Sequence, residues 1–321
     1  MINPLSTLRT SCESTRASSA QSHTLPRPFA RSRRSNLLLT LALGICMGTQ
    51  SSCGDQAQSA AEAQVQAKSE NTAKAIERLI ELSTGLDPTL TSDHHDRHLH
   101  ARRAFMEEIR QGSKEIGLAA LDRFLEVEEQ VEVAPILVRV NLLDVAAYTA
   151  TEETQPLLET LLLEYGHRID IRTEATLLMG KVSPARAVEL IAPILKRTKN
   201  TSTMPADEFL LAAYINGCKG SNQDPTGILA DVATNIYKED SARHLAVKEL
   251  GNQDSKLARL ALRQILVEST GNAYLRRKAA QAIRKSFARE EACEIFQLIA
   301  TREADNNFLM FLGDMIEENC E

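Results

Sequence analysis

The chain has 321 residues, a net charge of −6 and no tryptophan. Residues 1–52 hold six arginines against one acid, Glu13, so they are net +5 and residues 53–321 are net −11. An acidic body argues against general nucleic-acid binding, which needs a basic footprint, and against adhesion to an anionic membrane surface except through a lipid.

The first segment in chain order is a basic leader. The apolar run from Leu37 to Gly48 follows "RSRRS". A spanning helix needs roughly 20 apolar residues, and this run is shorter. It reads as the apolar region of an export signal behind a basic stretch. A transit peptide shares the Arg- and Ser-rich composition, but it is amphipathic and lacks a solid apolar block. The basic stretch is long for an export signal, which leaves a translation start downstream of Met1 open.

The end of the run resembles a bacterial lipoprotein signal. In that family a cysteine follows small residues and becomes the lipid-bearing first residue. Cys53 has Ser51 and Ser52 before it, with Gln50 where an aliphatic belongs. Cys46 has the aliphatic Leu43, but Ile45 fills the small position. A small residue at the cleaved bond favours Cys53, with Cys46 second. Simple cleavage after Ser51, or no cleavage, remains open. "SRRSNLL" also resembles a twin-arginine signal through Arg33 and Arg34, with Asn36 where an apolar residue is usual. The resemblance implies export to the cell envelope or periplasm on a lipid anchor.

Residues 53–70 are Ala, Gln and Ser with Val65 as the one aliphatic. Such a segment buries too little apolar surface to offset its ordering entropy, so a flexible tether is expected after a disordered leader. Its Ala and Gln also permit a fraying helix.

The body, 71–321, is predicted to be all-α. Within 71–169, "FMEEI" and "LAALDRFLEV" form one helix pair. "PILVRVNLLDVAAY" and "PLLETLLLEYG" form another, with Pro135 and Pro156 near their starts. From 170 to 321 a pattern recurs: "ATLLMG" from Ala175, "AAYING" from Ala212, "AVKELG" from Ala246, "AAQAIR" from Ala279 and "FLMFLG" from Phe308. The offsets are 37, 34, 33 and 29 residues, a helix-pair period. Arginine stands three residues before the Ala at Arg172, Arg243 and Arg276, and Phe209 and Asp305 replace it in the other two units.

In this reading the small Ala admits a neighbouring helix, and Gly180, Gly217, Gly251 and Gly313 end the first helix in a left-handed conformation. Ser183-Pro184, Asp224-Pro225 and Asp254-Ser255 start the second helices. Their apolar stripes are Val188, Ile191 and Leu195, then Ile228, Val232 and Ile236, then Leu257, Leu260 and Ile265. Pro193 is expected to bend or end its helix. The Arg-x-x-Ala-x-x-x-Leu-Gly spacing resembles the HEAT-like repeat, which implies an α-solenoid of stacked antiparallel helix pairs. A helical bundle without true repeats is the alternative.

Chemistry is hard to find. "SDHHDRHLHARRAF" places His94 and His98 four residues apart on a predicted helix, a spacing that can hold two positions of a transition metal. A metal site usually needs a third ligand, and the sequence marks none; an exposed polar helix start explains the cluster equally. His95-Asp96 resembles the HD phosphohydrolases, but the further upstream His that family needs is absent apart from His23 in the leader. There is no Gly-rich phosphate loop, Cys-x-x-Cys or Gly-x-Ser-x-Gly elbow. No cofactor is expected.

"YLRRKAAQAIRKSFAR" carries six basic residues and no acid. Arg276, Arg277, Arg284 and Lys285 are its candidate contacts to an acidic partner; a solvated helix neutralised by neighbouring acids is the plainer reading. Cys218, Cys293 and Cys320 allow one disulfide at most if Cys53 carries lipid, and the sequence does not choose the pair. The expected function is a non-enzymatic scaffold that binds another protein. The alternative is a metal-binding protein or metal-dependent enzyme built on His94 and His98.

Overall fold

The computed structural model describes residues 54–84, 92–129, 135–164, 168–197, 204–268 and 272–320. Among them there are fourteen helices and no strand. They are α1 (Gly54–Thr84), α2 (Ser92–Arg110), α3 (Lys114–Glu129), α4 (Ile136–Thr149), α5 (Thr151–Leu163), α6 (Ile169–Val182) and α7 (Pro184–Leu195). Then follow α8 (Asp207–Ser221), α9 (Thr226–Thr234), α10 (Asp240–Leu250), α11 (Lys256–Glu268), α12 (Ala273–Ser286), α13 (Arg289–Ala300) and α14 (Asn306–Cys320). None of the described helices is long and apolar enough to cross a membrane.

The fold is an all-α stack of helix pairs. Each odd-numbered helix from α3 to α13 packs along the even-numbered helix that follows it. The even helices form a continuous row, α2 to α14, each touching the next; α7, α9 and α11 form part of a second row. One hydrophobic core threads the stack, from Ile76 and Leu79 of α1 to Leu312 and Met315 of α14. Pairing by neighbours, without long-range closure, is how repeat proteins distribute their stability.

The stack begins earlier than the recurring motif suggests. The pairs α3–α4 and α5–α6 have the same arrangement as the later ones. The segment expected as a tether is helical too, since α1 starts at Gly54. Ala, Gln and Glu favour helix, and residues 63–71 remain exposed on it. Lys68 Nζ reaches Glu115 on α3 at 2.7 Å, and burial starts at Ile76.

Gly180, Gly217 and Gly313 do not cap helices. Gly180 lies inside α6 and Gly217 inside α8. A Cβ on Gly180 would sit 2.4 Å from the carbonyl oxygen of Ala213, and one on Gly217 2.9 Å from that of Pro184. Their purpose is close backbone approach between neighbouring helices. Gly251 does terminate α10, but at φ −65° rather than in the left-handed region. The left-handed cap that the glycines were expected to supply is made by Asn222, at φ 55°, after α8.

Two apolar stripes also differ from expectation. Ile236 falls beyond the end of α9 and is 73% exposed, while Ile228 and Val232 are buried. In α11, Leu257 and Leu260 are about half exposed. The buried stripe there is Ala258, Ala261, Leu262, Ile265 and Leu266. Small alanines occupy the contact side, so the helix is rotated about one residue from the phase its leucines suggest. In α7 the expected stripe is buried, and the helix ends two residues after Pro193.

These contacts predict opposite signs for one substitution. Gly180→Ala should destabilise by about 2–3 kcal/mol, because its new Cβ meets backbone that cannot retreat cheaply. Gly313→Ala, inside α14 with open space around it, should stabilise by about 0.5–1 kcal/mol. Urea denaturation of both variants checks the pair.

Candidate functional site: the face of the even helices

The recurring arginines are structural. Arg172 at the start of α6 is buried; its Nε donates to Leu161 O at 3.0 Å and its Nη2 to Leu162 O at 2.8 Å. Arg243 in α10 donates to Ala233 O at 3.3 Å, and Arg276 in α12 donates to Leu266 O at 2.9 Å. Each side chain thus reaches the last turn of the preceding odd helix, where carbonyls lack helical partners and the helix dipole is negative. Arg139 in α4 makes the related contact to Glu128 of α3 at 2.7 Å. In α8, where Phe209 replaces the arginine, a buried pair stands instead: Lys238 Nζ and Asp207 Oδ1, 3.1 Å apart. Asp305, in the last unit, accepts from Asn307 N and Phe308 N and caps α14.

The basic helix α12 therefore divides. Arg276 is 3% exposed, bonded also to Glu303, with its guanidinium 3.9 Å from the Phe308 ring centroid. It cannot meet a partner, and the expectation that it does is corrected. Arg277 is exposed beside Phe311, and Arg284 is exposed but paired with Glu318. Lys285 is exposed, and its Nζ donates to Asn252 Oδ1.

Lys285 opens onto a groove of about 590 Å³ between α8, α10 and α12. Lys248 and Lys278 stand in the same groove, over Leu245, Gly251 and Ala282, with Glu208 as the acid in its wall. His244 also lines it, edge-on to Tyr274 with ring centroids 4.6 Å apart. Burial lowers the His244 pKa, and its Nε2 is buried without a partner. The positive charge of the groove is thus carried by lysines. Lys248 and Lys278 lie 30 residues apart in sequence, and only the stacking of successive even helices joins them. Their one sequence signal is position relative to the repeat alanine: Lys248 two after Ala246, Lys278 one before Ala279.

A second depression on the same row lies between α2, α4 and α6. It holds both signs, with Arg102, Arg103 and Arg110 beside Glu107, Asp144 and Glu174. Arg110 binds Asp144 through two hydrogen bonds, at 2.7 and 2.9 Å, and burial raises the Glu174 pKa.

The histidine cluster lies on α2. His98 is half-buried, and one ring nitrogen is 2.8 Å from Leu82 O at the end of α1. The side chain of His94 lies outside the described residues, as do Cys46 and Cys53. Among the described residues no three His, Cys, Asp or Glu side chains gather where a metal ion could be held. Cys293 and Cys320 form a disulfide joining α13 to α14, with Cα atoms 5.6 Å apart. Closing that loop is worth about 3–4 kcal/mol in the chain-entropy account. Cys218 is a free, buried thiol whose pKa is raised by burial. No protein-family model, curated protein or solved structure matches this chain.

Neighbouring arginines should respond differently to truncation. Arg276→Ala leaves carbonyls and Glu303 unpaired in the interior and should cost about 3–5 kcal/mol. Arg277→Ala, at an exposed site, should stay within about 0.5 kcal/mol of wild type. The same pair sets a pH dependence. The hydrogen bond from Arg276 holds the Glu303 carboxyl below its ordinary value of 4.5. Its contribution is therefore complete above pH 4.5 and lost as the pH falls further through the lowered folded value. Glu303→Gln should flatten that part of the acid unfolding curve, read by helical circular dichroism.

Proposed function

We propose that this chain is a non-enzymatic scaffold of the bacterial cell envelope, a HEAT-like solenoid that holds another protein against the row of even-numbered helices. The observation that carries this reading is the unneutralised lysine groove on that row, in a body that is otherwise acidic and richly ion-paired. Stacked repeats bury a continuous core and leave an extended face for binding. The reading built on His94 and His98 has no observation in its favour, since His98 is engaged with the end of α1.

Export rests on two features. The leader has the form of a lipoprotein signal ending at Cys53, and the Cys293–Cys320 bridge suits an oxidising compartment. The chain is then anchored by lipid alone and presents its repeats to the space beyond the membrane.

Intact mass of the membrane-extracted protein should correspond to residues 53–321 with lipid on Cys53. A mature Cys46 would move the attachment point, and an unmodified chain beginning at Met1 would remove the export reading. Chemical cross-linking in envelope fractions, followed by mass spectrometry, should recover one recurring protein partner joined to the even helices. Recovery of this chain alone would contradict the scaffold.

A further inference from the structure

We infer that the groove between α10 and α12 is a recognition site for an extended acidic segment of a partner protein, read by Lys248, Lys278 and Lys285. This deepens the scaffold reading and rests on it.

Charge pairing is the first ground. Most other basic residues around this groove are answered within the chain: Arg243 by Asp240, Arg276 by Glu303, Arg284 by Glu318 and Lys219 by Glu249. Among the described residues, no carboxylate lies within ion-pair distance of Lys248, Lys278 or Lys285. Two of the three are held by neutral groups. Lys278 Nζ lies 5.2 Å from the Tyr274 ring centroid, and Lys285 donates to Asn252. These contacts orient the ammonium groups and leave their charge uncompensated.

Spacing is the second ground. Lys278 and Lys285 are two helical turns apart, about 10 Å along the axis, and share a face. One phosphate or one carboxylate cannot meet both. Positions three residues apart in an extended chain are about 10 Å apart, so a peptide whose carboxylates are separated by two small or aliphatic residues spans the pair. Lys248 approaches from the opposite wall on α10.

The floor is the third ground. Leu245 and Ala282 are apolar, and Gly251 has no side chain to fill the space above it. A Cβ there would stand 2.9 Å from that of Ala282, so the helices close tightly beneath the groove. An aliphatic side chain between two acids has a surface to lie on. Glu208 at the α8 wall repels carboxylates and confines the acidic part of the segment to the α10–α12 side. The groove is also preformed, because Arg243 and Arg276 fix both helices to their odd partners.

The probe is a fluorescein-labelled ten-residue peptide alternating Glu with Leu and Ala, titrated against the mature full-length chain at low salt and read by anisotropy. Saturable binding is expected, weakened roughly 10-fold or more by Lys248→Glu, Lys278→Glu and Lys285→Glu together. Lys256→Glu on α11 should change it less than about 2-fold. A triple Lys→Gln variant should also weaken binding, and it stands in if the reversed protein loses its helical signal. Equal binding by wild type and the triple variants overturns the site. So does binding to phosphatidylglycerol vesicles without binding to the peptide, which would make the groove a membrane contact. If the peptide fails while cross-linking still recovers a protein partner, the groove falls and the scaffold stands. If no partner is recovered, the scaffold falls as well.

Discussion

Three of the helix pairs, α5–α6, α9–α10 and α11–α12, depend on one buried cation near the start of the even helix. A guanidinium is costly to bury, and the repeated solution is to place it where a helix ends. The last carbonyls of an odd helix have no partners in their own helix and carry the negative end of its dipole. Arg172, Arg243 and Arg276 donate to those carbonyls and remain almost fully buried. Arg's planar fork of donors suits this position in a way that a single ammonium does not. Where the arginine is missing, the buried pair of Lys238 and Asp207 stands between α8 and the turn before α10. Loss of either partner in such a pair leaves an uncompensated interior charge.

That constraint separates the basic residues into two populations. The arginines recurring with the repeat period hold odd and even helices together and are spent inside the stack. The lysines outside that period, Lys248, Lys278 and Lys285, gather where successive even helices adjoin. The depression on α2, α4 and α6 shows the contrast. There Arg110 and Asp144 answer each other, and the other two arginines, Arg102 and Arg103, share the lining with Glu107 and Glu174, so both signs are present in equal number. Residues 53–321 are net −11, so a groove lined by three lysines stands out among the described residues, and the field around it repels most anions at long range.

The sequence made the helical class and the helix-pair period legible, because Ala at 175, 246 and 279 must be small for helices to touch; in the second unit the contact falls one residue later, on Ala213 rather than Ala212. Ala175, Ala246 and Ala279 are fully buried. It did not make the glycines legible. A Gly after a helical run reads as a cap, yet Gly180 and Gly217 answer to neighbouring backbone, which a linear pattern does not contain. Arg276 was misassigned for the same reason: burial of an arginine depends on the carbonyls of Leu266, ten residues away on another helix. Leu257 and Leu260 suggested a core face, and the small Ala258 and Ala261 took it instead. The groove lysines were only partly visible, since Lys278 and Lys285 share a helix while Lys248 arrives from the previous unit. The Cys293–Cys320 pairing became apparent only when α13 and α14 lay side by side.

The central claim is that unpaired lysines on the even row meet the partner while the buried cations hold the stack. Lysine footprinting by mild acetylation and mass spectrometry tests it most directly, on the chain alone and on the complex recovered from envelope fractions. In the chain alone, Lys248, Lys278, Lys285 and Lys256 should label and Lys238 should not, being buried against Asp207. In the complex, labelling should be lost at Lys248, Lys278 and Lys285 and retained at Lys256. Unchanged labelling of the three groove lysines in the complex, or ready labelling of Lys238 in the folded chain, would contradict the account.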